Sequence, residues 1–131
     1  MGESAEMYLE TIYILLNQLG EVRAVDISRK MNFSKASVSN GLKKLLKQNL
    51  IDKDKNECIT LTTKGLEKAK MLFDRYSTIT RFLEIIGVPT EVAQQDACKM
   101  EHTLSETSFE CIKQHVYLTD NLGEKTIRCI I

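Results

Sequence analysis

The segment Val25-Asp26-Ile27-Ser28-Arg29-Lys30-Met31-Asn32-Phe33-Ser34-Lys35-Ala36-Ser37-Val38-Ser39-Asn40-Gly41-Leu42-Lys43-Lys44-Leu45-Leu46-Lys47 contains two short amphipathic stretches and the joint between them. Ile27 and Met31 recur at helical spacing, which predicts a helix over about 25–31. It breaks at Asn32, a residue that tolerates the left-handed backbone a tight interhelical turn requires. Ser34 is placed to cap a further helix that turns Val38, Leu42, Leu45 and Leu46 inward and leaves Lys35, Ser37, Asn40, Lys43, Lys44 and Lys47 outward. Gly41 inside that helix costs roughly 1 kcal/mol relative to alanine. Either it admits a neighbouring backbone or a well-packed helix tolerates it, and toleration is the preferred reading.

Upstream, Tyr8, Ile12, Leu15, Leu16 and Leu19 predict a helix over 5–19, with Ser4 as its N-cap and Gly20 as its stop. Downstream, Leu50 and Ile51, the polar stretch 52–57 and the stretch 58–62 predict two short strands around a charged tip, a hairpin. Thr63 is the expected cap of a long helix over about 64–86, closed by Gly87 and Pro89. Thr90 begins another, to about 102, and Ser105 caps one over about 106–117. The end of the chain, 118–131, stays open; its apolar last stretch, 126–131, reads as a strand or a partner contact.

At 131 residues the chain has room for one core, or for a small head plus a dimerisation segment, but not for a large enzyme. Eighteen Lys and Arg balance eighteen Asp and Glu, yet the charge is unevenly placed. Between Glu21 and Gly65 ten basic residues stand against five acidic ones, a local excess of five. Cys58, Cys98, Cys111 and Cys129 form no CxxC pair and no apolar leader precedes the first helix, which predicts reduced thiols and a cytoplasmic protein. No apolar run approaches the roughly 18–20 residues that cross a bilayer, so no membrane partner is expected. Without a nucleophile–base pair, a Gly-rich phosphate loop or an HExxH motif, an enzyme with a small-molecule substrate is not expected either. His115 reads as a surface or dimer-contact residue.

Two short helices joined by a tight turn and followed by a hairpin make a winged helix-turn-helix, whose second helix lies in the DNA major groove. The small polar residues Ser34, Ser37, Ser39 and Asn40 can bond phosphates or base edges without holding the backbone away. Lys35, Lys43 and Lys44 would meet phosphates, Arg23 would anchor the DNA backbone, and Lys53 and Lys55 at the hairpin tip would reach the flanking groove. The plainer alternative is that the lysines only solvate an exposed face. Turn, polar helix start and charged hairpin coinciding in one block favour DNA. Heads of this kind usually work as two-fold dimers on palindromic operator sites about 34–36 Å apart.

Cys98, Glu101 and His102 stand at i, i+3 and i+4, which puts a thiol, a carboxylate and an imidazole on one face of a predicted helix. Met7 and Glu10 are three apart on the first helix and could close a metal shell if that helix packs across. By spacing alone the motif is also, and more commonly, a surface Glu-His pair beside a buried thiol.

The segments Ser4-Ala5-Glu6-Met7-Tyr8-Leu9-Glu10-Thr11-Ile12-Tyr13 and Asp96-Ala97-Cys98-Lys99-Met100-Glu101-His102-Thr103-Leu104-Ser105 resemble the two signature blocks of the diphtheria toxin repressor family of iron- and manganese-dependent regulators. Val25-Asp26-Ile27-Ser28 and Ser34-Lys35-Ala36-Ser37-Val38-Ser39 resemble that family's DNA-binding helices, and Leu61-Thr62-Thr63-Lys64-Gly65 its exit from the wing. The resemblance implies that Met7, Cys98, Glu101 and His102 are metal ligands, with Met7 and Cys98 matching the iron branch and Glu10 a ligand of the manganese branch. A chain without the C-terminal SH3-like domain matches the short manganese form. Tyr76, Thr80 and Gln94 stand where the family carries histidine, carboxylate and, in the iron branch, histidine, so a second metal site departs from the pattern.

The expected architecture is therefore mainly α with a small β-hairpin: a winged helix-turn-helix DNA-binding domain, 1–65, and a helical metal-binding and dimerisation domain, 66–131. The expected function is a metal-dependent repressor that binds operator DNA as a homodimer; the alternative is a metal-independent winged-helix regulator with a degenerate site. Thioether and thiolate donors favour ferrous iron, with manganese, zinc, cobalt or nickel as other candidates.

Overall fold

The computed structural model describes the backbone of residues 2–130 and, apart from residues 3 and 122–130, their side chains. The elements are α1 (Glu3–Leu19), α2 (Ala24–Met31), α3 (Lys35–Lys47), β1 (Ile51–Lys53), β2 (Ile59–Leu61), α4 (Thr63–Ile85), α5 (Thr90–Met100) and α6 (Glu106–Ile130). They pack as two compact units, Met1–Phe73 and Asp74–Ile131, with the division inside α4.

In the first unit the α2–α3 joint turns where expected, because Asn32 adopts φ 56°, ψ 43°. Phe33 N–H donates to Ser28 O at 3.2 Å and Ser28 Oγ donates to Phe33 O at 2.7 Å, which ties the turn back onto α2. Ser34 caps α3 by accepting the Ser37 N–H at 3.1 Å. Ile27, Val38, Leu42 and Leu45 are buried with Leu9, Ile12 and Leu72, so α1, α2, α3 and the start of α4 share one core. Leu46, expected inward, is 38 % exposed; it falls at the edge of the apolar stripe. Ser4 does not cap α1: the helix starts at Glu3, with Gly2 in the N-cap position.

Gly41 is buried because the Tyr8 ring lies against it; a Cβ there would stand 2.5–2.8 Å from Tyr8 ring atoms. Toleration is thus overturned, and the close neighbour is a side chain, not a backbone. The Tyr8 hydroxyl donates to Ser37 O at 3.1 Å, pinning α1 to α3. Helix propensity alone would make Gly41→Ala stabilising by about 1 kcal/mol. The clash predicts the opposite sign, a net loss of about 1–2 kcal/mol in denaturant unfolding; a gain would show that Tyr8 moves aside freely.

β1 and β2 pair antiparallel with Ile51 opposite Leu61 and Lys53 opposite Ile59. Ile59 N–H donates to Val22 O at 2.7 Å, so the segment before α2 borders the hairpin. Asp54 builds the tip: its Oδ1 accepts from Asn56 N–H at 2.8 Å and Cys58 N–H at 2.9 Å. The cap of α4 is Thr62, not Thr63, since Thr62 Oγ1 accepts the Gly65 N–H at 3.0 Å and donates to Asn49 O at 2.8 Å.

The second unit packs Ile79 and Leu83 of α4 against Ala93 and Ala97 of α5 and Phe109 of α6. Gly87 (φ 102°) ends the α4 turn as expected, and Ser105 caps α6 by accepting Ser108 N–H at 3.1 Å. Arg75 donates to Leu104 O at 2.7 Å and lies over the Phe109 ring at 5.0 Å. Arg81 grips Asp120 through two nitrogens, at 2.7 and 3.2 Å. That hydrogen bonding holds the Asp120 carboxyl below its usual range, so the pair's contribution is present at neutral pH and is lost as pH falls through the depressed value. α6 is longer than expected; its backbone stays helical through Ile130, while a partner contact by the side chains of 126–131 lies outside the described residues.

Candidate metal centre and nucleic-acid interface

α5 ends at Met100, two residues earlier than the spacing predicts, yet Glu101 keeps a helical backbone (φ −58°, ψ −28°) and bonds Ala97 O at 2.9 Å. The chain then tightens: His102 N–H donates to Lys99 O at 3.4 Å and Thr103 N–H to Met100 O at 3.1 Å. This turn folds His102 against its neighbour. Glu101 Oε1 and His102 Nε2 stand 3.1 Å apart, with side-chain exposures of 0 % and 1 %. Cys98, on the last turn of α5, is partly buried. A carboxylate is costly to bury unless a positive charge or strong hydrogen bonds compensate it. Carboxylate, imidazole and thiol within five residues of chain are also the donor types that transition metals take.

In the first unit, Glu10 is 7 % exposed and Met7 is half-buried, one α1 turn apart. A buried Glu on an otherwise apolar face is unusual for a surface helix. Of the positions set against a second metal site, Thr80 is buried and spends its hydroxyl on Tyr76 O at 2.8 Å, and Gln94 is exposed. His115, exposed, stands edge-on to Phe82 at 5.7 Å.

On α3, Lys35, Ser37, Ser39, Asn40, Lys43, Lys44 and Lys47 are all exposed, as the helical period requires. Ser34 is exposed too, but its oxygen is engaged by the cap and it donates to Ser37 Oγ at 3.0 Å. Arg23 is exposed at the start of α2; its backbone N–H donates to Asp26 Oδ2 at 2.9 Å. Hydrogen bonding to the Cys58 side chain, with the nearby Glu21 and Asp54 charges, holds its guanidinium firmly protonated. Lys55 is exposed at the hairpin tip, whereas Lys53 is paired with Glu57 at 3.2 Å. Sequence reasoning missed the Lys53–Glu57 pair, because the i, i+4 rule holds on a helix face and these two meet across a hairpin tip. Among the described residues no helix is long and apolar enough to cross a membrane.

Fold and site define a class: winged-helix proteins with an exposed basic face on α3 and a buried carboxylate–imidazole pair in a helical unit. The chain belongs to the iron-dependent repressor family of metal-dependent transcriptional regulators, which are not enzymes: residues 1–58 match its N-terminal DNA-binding domain and 62–123 its metal-binding and dimerisation domain. It is 35 % identical over 115 residues to an uncharacterised HTH-type transcriptional regulator of Methanocaldococcus jannaschii, covering 86 % of this chain and 92 % of that protein. It is 33 % identical to the HTH-type regulator MntR of Bacillus subtilis, over 97 % of this chain and 91 % of that one. Among solved structures it resembles the manganese regulator SloR at 30 % identity and TM-score 0.78, covering 89 % of this chain but 55 % of that one.

Proposed function

We propose that the chain is a cytoplasmic repressor that binds palindromic operator DNA as a homodimer when ferrous iron is bound, with 1–65 as the reading head and 66–131 as the metal-binding and dimerisation domain. The buried Glu101–His102 pair, which follows Cys98 in the chain, carries this reading, because it lies in the segment that matches the family's metal-binding domain. Met7 and Glu10 complete the proposed ligand set with Cys98, Glu101 and His102. The thiolate and thioether in that set support iron over manganese, although relatives include a manganese regulator. When bound, the cation supplies positive charge that offsets the buried Glu101 carboxylate. The ligand residues couple metal to DNA only if they hold it more tightly in the operator-competent arrangement; equal affinity for both arrangements would shift nothing.

Asn40, Ser37 and Ser39 are the proposed base and phosphate contacts, with Lys35, Lys43, Lys44, Lys55 and Arg23 on phosphates. Lys43→Ala is expected to weaken binding to all sequences and to reduce the salt slope by about 0.9; an unchanged slope removes Lys43 from the phosphate contacts. An anaerobic gel-shift titration with iron, manganese, zinc and no metal tests the whole. Tightest binding with iron is expected. Tightest binding with manganese would overturn the choice of ion, and binding unchanged by chelation would leave a metal-independent regulator.

A further inference from the structure

The two sides of the reading head differ in how their positive charge is compensated. α3 carries Lys35, Lys43, Lys44 and Lys47 and no acidic residue. At the hairpin, Asp52, Asp54 and Glu57 stand against Lys53 and Lys55, and the Lys53 ammonium is 3.2 Å from a Glu57 carboxylate oxygen. Arg23, at the base of the hairpin, has Glu21 and Asp54 charges about it. The groove-flanking residues that the sequence offers to DNA are thus answered by acids, whereas α3 itself carries none.

Glu57 is also held at φ 65° by the tip, where its N–H donates to Asp54 O at 3.1 Å. Glycine or asparagine takes that left-handed backbone at lower cost. The strained position nonetheless bears a carboxylate, 3.2 Å from the ammonium of Lys53, whose side chain is 28 % exposed. Strain of this kind at a loop tip is a pointer to function.

We propose that Glu57 sets the DNA affinity of the head by withholding Lys53 from phosphate. This rests on the DNA-binding reading above. Electrostatic contacts to phosphate strengthen binding to every sequence alike, so a compensated wing lowers non-specific retention and leaves base contacts on α3 a larger share of the discrimination. The pair is exposed at Glu57 and exposed pairs are weak, so neutralising Glu57 releases Lys53 without disturbing the hairpin.

Salt titrations of a random-sequence duplex with the full chain test this. Glu57→Gln is expected to bind about 3- to 8-fold more tightly near 0.1 M salt and to steepen the slope of log K against log salt by about 0.9, the signature of one more neutralised phosphate. Glu57→Asn, which suits the left-handed backbone, gives the same gain if charge and not strain is responsible. Adding Lys53→Gln to Glu57→Gln returns affinity and slope to wild-type values. Unchanged binding in Glu57→Gln, or a gain that survives loss of Lys53, overturns the proposal. Failure of the DNA-binding reading looks different: wild type and Lys43→Ala would then hold the duplex equally poorly at every salt concentration.

Discussion

Alanine at His102 is expected to abolish the stimulation of operator binding by metal, lowering metal affinity by at least ~100-fold, since even residues that only support a ligand cost 10- to 100-fold. His102 lies beyond the last residue of α5, so far-ultraviolet circular dichroism should stay close to wild type. Removing the imidazole also takes away the 3.1 Å neighbour of the buried Glu101 carboxylate, and leaving a buried polar group short of a partner costs about 1–3 kcal/mol. A drop in melting temperature is therefore expected alongside the loss of response. Cys98→Ala separates the two effects: the pair stays intact, so metal stimulation should fall while stability changes little. Equal stimulation in wild type and in both variants would remove these side chains from the metal site.

The other large effect is expected at Gly65. Its α carbon approaches the Leu50 carbonyl so closely that an added Cβ would collide with the carbonyl oxygen and lie 2.9 Å from its carbon. Backbone cannot swing aside as a flexible side chain can. That same oxygen accepts the Thr62 N–H at 3.1 Å, and the Gly65 N–H is bound by Thr62. Displacing Leu50 would thus disturb the entry to β1 and the cap of α4 together. Gly65→Ala should lose about 3 kcal/mol, seen as a fall in melting temperature on the order of 10 °C. A variant as stable as wild type would show that α4 can lift off Leu50 without penalty.

Much of the head was readable along the chain because its determinants act over a few residues. Asn32 in the left-handed region and Ser34 bonding a backbone N–H three residues on are local devices, and the burial of Ile27, Val38, Leu42 and Leu45 follows helical period. The same local logic placed Gly87 and Ser105. It misplaced two caps because neighbouring candidates compete: Thr62 prevails over Thr63 since it can also reach Asn49 O, and Ser4 lies inside a helix that starts at Glu3. At the candidate metal centre, residue types and spacing were readable. The tightening after Met100 was not, because periodicity carries no signal for where a helix gives way to a turn.

Order along the chain was enough for the winged helix-turn-helix, the acid-free basic helix and the Cys98, Glu101 and His102 motif, all of which depend on which residue follows which. Packing alone revealed why Gly41 and Gly65 are glycines, that Glu101 and His102 are withdrawn from water, and that Lys53 is paired across the hairpin tip. Each of those depends on atoms brought close in space, at distances where a methyl group or a unit charge is felt, and the tightest of them join residues far apart in sequence.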